Sequence, residues 1–251
     1  MFKSLYLKEL RARRGSFLLL AGSILLWAVW LRTRIPYWPG PGAAVMAWLP
    51  LSFLPLWAIW SGVQSYRQEW SENTSYLLLS LPVRGWQIAV SKLLAIVTEI
   101  VGLTLVVSVM GLWLALVSDI HGPWLEVQQT YGTDWIPGII AFGVVIALIP
   151  ITLLIQAAQT AALISRQVQR FRALVLAAAY IFGLWAAQIF VDGLGSLLGF
   201  LPDLPLRLPL EGAAAASSLY PIPSGPIVAA VIFIALLLGL QNWLWENVVE
   251  I

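Results

Sequence analysis

Six stretches of this chain are apolar over lengths that only a membrane accommodates: Phe17–Leu31, Ala43–Val63, Leu93–Ser118, Ile136–Ile164, Ala173–Val191 and Ile227–Trp245. A helix crossing the hydrocarbon core needs roughly 20 mostly apolar residues. With their flanks, these runs predict spans at about 17–34, 43–64, 88–118, 136–164, 173–191 and 227–245. Composition makes the same demand, because 60% of the 251 residues are hydrophobic and only 10% are charged. A soluble domain carries about 25% charged residues, so there is too little polar side chain here to cover a globule. The expected fold is an all-α membrane protein forming a single transmembrane domain over residues 1–251.

Orientation follows from lysine and arginine, which collect on the cytoplasmic side of a membrane protein. Lys3, Lys8, Arg11, Arg13 and Arg14 precede the first span; Arg67, Arg84 and Lys92 follow the second, and Arg166, Arg170 and Arg172 follow the fourth. Those eleven face three on the other side, Arg32, Arg34 and Arg207. The split places both termini in the cytoplasm. The basic start and short first run also have the outline of a signal peptide, but Arg32, Arg34 and the Pro36–Gly42 turn favour an uncleaved helix. Trp38, Trp48, Trp124 and Trp135 fall at one interface, Trp70, Trp86, Trp243 and Trp245 at the other, as the headgroup preference of indole requires.

Two further segments are expected not to span. Residues 1–16 carry Phe2, Leu5, Tyr6 and Leu10 at helical spacing among basic residues, which predicts an interfacial helix on the inner leaflet. Residues 192–226 hold two apolar pieces, Leu194–Leu201 and Leu210–Leu219, broken by glycine and proline. Each is too short to cross, so re-entrant or interfacial helices are expected between spans five and six.

Much chemistry is excluded outright. With no cysteine and one histidine, His121 in an outer connection, the chain cannot build a thiolate or multi-histidine metal site. It contains no phosphate-cradling loop and no H-E-x-x-H pair, so no catalytic residue and no cofactor is expected on it. Polar groups inside spans are the remaining pointers to function. Glu99, Gln156, Gln159 and Gln188 are the candidates for lining a pathway, with interhelical hydrogen bonding as the alternative. A stand-alone carrier or membrane enzyme built on Glu99 is the rival functional class.

The connection at 66–86 is the most informative segment. Asn73 can cap a short helix, Leu77 and Leu78 give it an apolar face on the cytosolic side, and Pro82 stops it. An amphipathic helix of that kind suits the groove of a partner. Glu69, Thr74, Leu78-Leu79-Ser80, Pro82-Val83 and Lys92-Leu93-Leu94-Ala95 stand in an order and spacing that resembles the type-2 ABC transporter permeases. Asn73, Arg84-Gly85 and Ser91 depart from that pattern. The resemblance implies a coupling helix meeting a separate ABC ATPase subunit through Glu69, Glu72, Thr74, Leu77, Leu78, Pro82 and Arg84. It further implies that ATP and Mg are bound by the ATPase and that a second permease, identical or related, completes the pathway. The expected setting is the cytoplasmic membrane of a prokaryote among its lipids, with an amphiphilic or hydrophobic substrate and no nucleic acid. Glu69 could pair with a basic residue of the ATPase or with Arg67 or Arg84 of its own chain.

Overall fold

The computed structural model describes residues 2–38, 42–71, 85–117, 136–168, 170–208 and 218–248. Helix α1 (Phe2–Arg34) is followed by a 3-10 turn, a short α2 (Gly42–Met46), a second 3-10 turn and α3 (Leu54–Ser71). Then come α4 (Gly85–Val117), α5 (Ile136–Arg166), α6 (Arg172–Leu197), strands β1 (Leu204–Leu208) and β2 (Ser218–Ile222), and α7 (Ser224–Val248). Among the described residues, five helices, α1 and α4 to α7, are long and apolar enough to cross a membrane. The chain is thus a predominantly helical protein with the makeup of a multi-pass membrane protein.

Packing follows helical periodicity. Leu93, Ile96, Ile100, Leu103 and Val107 form one stripe on α4, spaced three and four apart. They bury against Ile24 of α1, Leu54 and Ala58 of α3 and Ile155 of α5. A second cluster joins α3, α4, α5 and α7 through Tyr66, Ile88, Ala158, Ala162 and Trp245. Helices α3 and α5 approach closely because small residues face each other. A Cβ on Gly62 would lie 3.0 Å from Ala158 Cβ and 3.1 Å from the Ile155 carbonyl oxygen. The start of α1, the end of α3 and the start of α4 meet at one end of the bundle. The end of α5, the start of α6 and the end of α7 lie at that same end.

Three expectations are corrected. Residues 1–16 do not form a separate surface helix, since α1 runs unbroken from Phe2 to Arg34, about 50 Å at 1.5 Å per residue. Its first half is tied to α4 by the ion pairs described below, so the chain has no reason to turn at Gly15. The run at 43–64 is not one helix. It is cut into α2, a 3-10 turn at Leu49–Phe53 and α3, because Pro50 and Pro55 each lack the N–H that a continuous helix needs. Finally, the described part of the region 192–226 forms no re-entrant helix, while residues 209–217, which hold most of the second expected piece, lie outside the described residues. Leu194–Leu197 simply continue α6, and Leu204–Leu208 pair antiparallel with Ser218–Ile222, Pro205 opposite Pro221. The alternation Leu-Pro-Leu-Arg-Leu has the period of a strand, and a two-stranded ribbon has free edges where proline costs no ladder bond.

Candidate functional site

The most concentrated chemistry lies where α1, α3 and α4 meet. Lys92, in the second turn of α4, is 1% exposed. Its ammonium donates to Glu9 Oε1 of α1 at 3.0 Å and to the Ser65 carbonyl of α3 at 2.9 Å. It also lies 2.8 Å from Glu69 Oε1 and 5.4 Å above the Tyr66 ring. The ammonium thus meets three oxygens within 3.0 Å, two through hydrogen bonds and the third as an ion pair. Lys8, half exposed, adds a second cation 3.8 Å from Glu69. Burial pushes the Glu69 carboxyl up from its ordinary value, while the Lys92 charge pulls against that shift.

Two turns along α4 the pattern repeats. Arg13 Nη1 donates to Glu99 Oε2 at 3.1 Å, and the Trp57 indole N–H donates to Oε1 at 3.3 Å. The Ser16 hydroxyl lies 2.9 Å from Oε1 and 2.8 Å from the Arg13 carbonyl oxygen. Of the two, the carboxylate is the stronger acceptor for its single proton. Glu99 is therefore a buried clamp joining α1, α3 and α4.

A neutral network crosses the other side of the bundle. Gln241 of α7 donates through its amide to Gln156 Oε1, and to Thr160 Oγ1 at 3.0 Å, both on α5. Tyr66 donates to Gln241 Oε1 at 3.4 Å, and Gln159 donates to Ser65 Oγ at 3.4 Å. All of these side chains are buried. Gln156 and Gln159 accordingly stitch α5 to α7 and α3. Gln188 stands apart on α6, bonded to Asp192 one turn on at 2.9 Å.

Of the residues assigned to partner coupling, Glu69 alone is described, and among the described residues it pairs with Lys92 and Lys8 of its own chain. Glu72, Thr74, Leu77, Leu78, Pro82 and Arg84 lie outside the described residues. The stems of that segment are firmly seated. Tyr66 and Trp70 stack near the end of α3, and Tyr66 also meets Trp245 of α7 at 5.7 Å between ring centroids. Gly85 at the start of α4 fits so tightly that a Cβ would lie 3.0 Å from Trp245 Cβ and from Asn242 Oδ1.

Glu9, Arg13, Lys92 and Gln241 were not among the sequence candidates. Spacing carried part of the signal: Glu9 and Arg13 are one turn apart, and Lys92 and Glu99 two turns apart, so each pair shares a helix face. Gln241 follows an uninterrupted apolar run, the setting in which a polar group seeks an interhelical partner. Among the described residues, no group of three His, Asp or Glu side chains is placed to hold a metal ion. No family model, curated protein or solved structure matches this chain.

Proposed function

We propose that this chain is the permease subunit of an ABC exporter, driven by a separate ATPase that binds ATP and Mg. In this reading the pathway forms between two permease subunits, and the substrate is amphiphilic or hydrophobic. The chain crosses the cytoplasmic membrane of a prokaryote six times with both termini inside. The interrupted α2–α3 run serves as the second crossing. One observation carries the proposal: the segment with the permease-like spacing, 66–86, is rooted at both ends in the buried core. Glu69 and Tyr66 hold one stem against α1, α4 and α7, and Gly85 holds the other against α7. A push on such a segment reaches four helices at once, which is what coupling to a nucleotide-driven partner requires.

The rival class counts on Glu99 as a proton-carrying or catalytic group. Its two oxygens already receive Arg13, Ser16 and Trp57, which argues for an anchoring role instead. The test is affinity purification in mild detergent together with the double variant Leu77→Ser/Leu78→Ser. An ATPase polypeptide should co-purify with the wild type and be lost from the variant, with membrane insertion unchanged. Recovery of the wild-type chain without any ATPase, under conditions that preserve other ABC complexes, would sink the proposal.

A further inference from the structure

Helices α1 and α4 run side by side in the same direction, since Glu9 pairs with Lys92, Arg13 with Glu99, and Phe17 packs on Gly102. A Cβ on Gly102 would lie 2.9 Å from Phe17 Cε2, so glycine is what lets the ring settle into the seam. A cavity of about 380 Å³ opens along this seam. Leu7, Leu10 and Phe17 of α1 and Thr98 and Gly102 of α4 form its walls, with Arg11, Arg13, Arg14 and Glu99 around them. The Tyr6 hydroxyl, 2.9 Å from Thr98 Oγ1, ties the same two helices together.

The charges around the cavity are of two kinds. Arg13 and Glu99 are spent on each other at 3.1 Å, their side chains 12% and 1% exposed. Arg11 and Arg14, one turn apart on α1, are exposed, and among the described residues neither joins an ion pair. The acids of the neighbouring cluster, Glu9 and Glu69, lie against Lys92. Depth follows from α1 itself. Arg14 and Arg32 bracket an uncharged stretch and stand eighteen residues apart, about 27 Å of helix. The hydrocarbon core is about 30 Å thick, so Arg11 and Arg14 lie at the headgroup level of one leaflet. Towards the membrane centre both helices keep an exposed apolar stripe, Leu18, Leu25 and Val29 on α1 and Val101, Leu105 and Val109 on α4. These continue the faces of Arg14 and Thr98 at helical spacing. Because the helices are parallel, the two stripes make one track beneath the cavity. From Arg14 to Leu25 it runs about 16 Å, one leaflet deep.

We infer that the α1–α4 cavity is a binding site for an anionic phospholipid of the adjoining leaflet. Its phosphate sits at Arg11 and Arg14, its glycerol backbone lies over Phe17 and Gly102, and an acyl chain follows the track past Leu18 and Leu105. Charge complementarity selects the occupant. Two exposed guanidiniums favour a phosphate that carries net negative charge over a zwitterionic headgroup, whose own ammonium would be brought beside them. The Glu99 carboxylate does not oppose the phosphate, because Arg13 neutralises it inside the wall. A soluble anion would make no use of the apolar walls or of the track below them. A bound lipid would seal the α1–α4 seam over the Arg13–Glu99 pair. This inference needs only a membrane setting and stands apart from the exporter proposal.

The test reconstitutes the full chain in phosphatidylcholine nanodiscs containing a trace of phosphatidylglycerol with a photoactivatable acyl chain. Cross-linked peptides are then mapped by mass spectrometry. Label should concentrate in residues 17–25 and 101–109, and the same probe on a phosphatidylcholine headgroup should show no such preference. The variant Arg11→Gln/Arg14→Gln should weaken the preference roughly thirty-fold, given the usual contribution of each basic residue near an anionic surface. The control Lys3→Gln/Arg170→Gln, which removes the same charge from the same end outside the cavity lining, should leave it intact. Equal loss in both variants would mean diffuse attraction only and would overturn the site. So would equal labelling by both headgroups in the wild type, a comparison that needs no variant to fold. Displacement of the probe by soluble glycerol phosphate in matched amount would identify a soluble-anion site instead and would equally refute the inference.

Discussion

Replacing Lys92 with methionine tests the knot at the meeting of α1, α3 and α4. Methionine keeps most of the volume and removes the ammonium, so Glu9 and Glu69 lose the cation at 3.0 and 2.8 Å. At those distances each attraction is about 6 kcal/mol for an effective dielectric constant of about 20, offset by the desolvation of three charges. Removing one partner of a buried pair typically costs about 3–5 kcal/mol, because the orphaned charge stays behind. Lys8 offers little relief, since it is 3.8 Å from Glu69 and half exposed. Unfolding titrations in mixed SDS–detergent micelles should therefore show Lys92→Met destabilised by about 3–5 kcal/mol. Lys92→Met/Glu69→Gln should recover part of that loss. The deficit should also depend on pH. Burial already raises the Glu69 carboxyl, so the folded state binds the proton more tightly than the unfolded chain. Stability then falls as pH rises from the ordinary carboxylate value through the raised one. Loss of the opposing lysine charge enlarges that shift, so the variant should regain stability as pH is lowered toward the ordinary carboxylate range. A deficit below about 1 kcal/mol, or a double variant no better than the single, would show that the ions do not hold these helices together.

Other outcomes follow from the same packing. Gly62→Leu should force α3 from α5, because even a Cβ meets Ala158 at 3.0 Å; a loss of about 1–3 kcal/mol, read in the same titration, is expected, with Gly62→Ala costing less. Gln241→Leu removes the donor to Gln156 and Thr160 and the acceptor for Tyr66, and should cost about 1–3 kcal/mol by the same measure. Cysteines introduced near Gln128 and Gly212 should react with an impermeant reagent on intact cells, and one near Gln169 should not; labelling at Gln169 would refute the proposed orientation.

Hydropathy and charge made the membrane setting legible. Long apolar runs have no stable alternative in water, and that argument needs no knowledge of which helix touches which. The same one-dimensional signal failed where local backbone chemistry intervened. Pro50 and Pro55 divide a run that hydropathy treats as continuous, and the alternating leucines at 204–208, between the two expected short helices, make a strand. Both features were present in the sequence as proline placement and period-two spacing, but averaging over a window hides them.

The partners of the polar residues were decided by the tertiary structure. Sequence marks Glu99, Gln156 and Gln159 as unusual within spans, yet an isolated polar group reads the same whether it lines a pathway or binds a neighbouring helix. Their partners are remote along the chain: Glu99 meets Arg13 and Ser16 more than eighty residues away, and Gln156 meets Gln241 eighty-five residues away. Lys92 counts as one more basic residue near a span end until folding brings Glu9 and Glu69 around it. The chain order of residues determines charge, hydropathy and helical face. Which charges neutralise one another depends on which faces meet, and that is settled only when the helices pack.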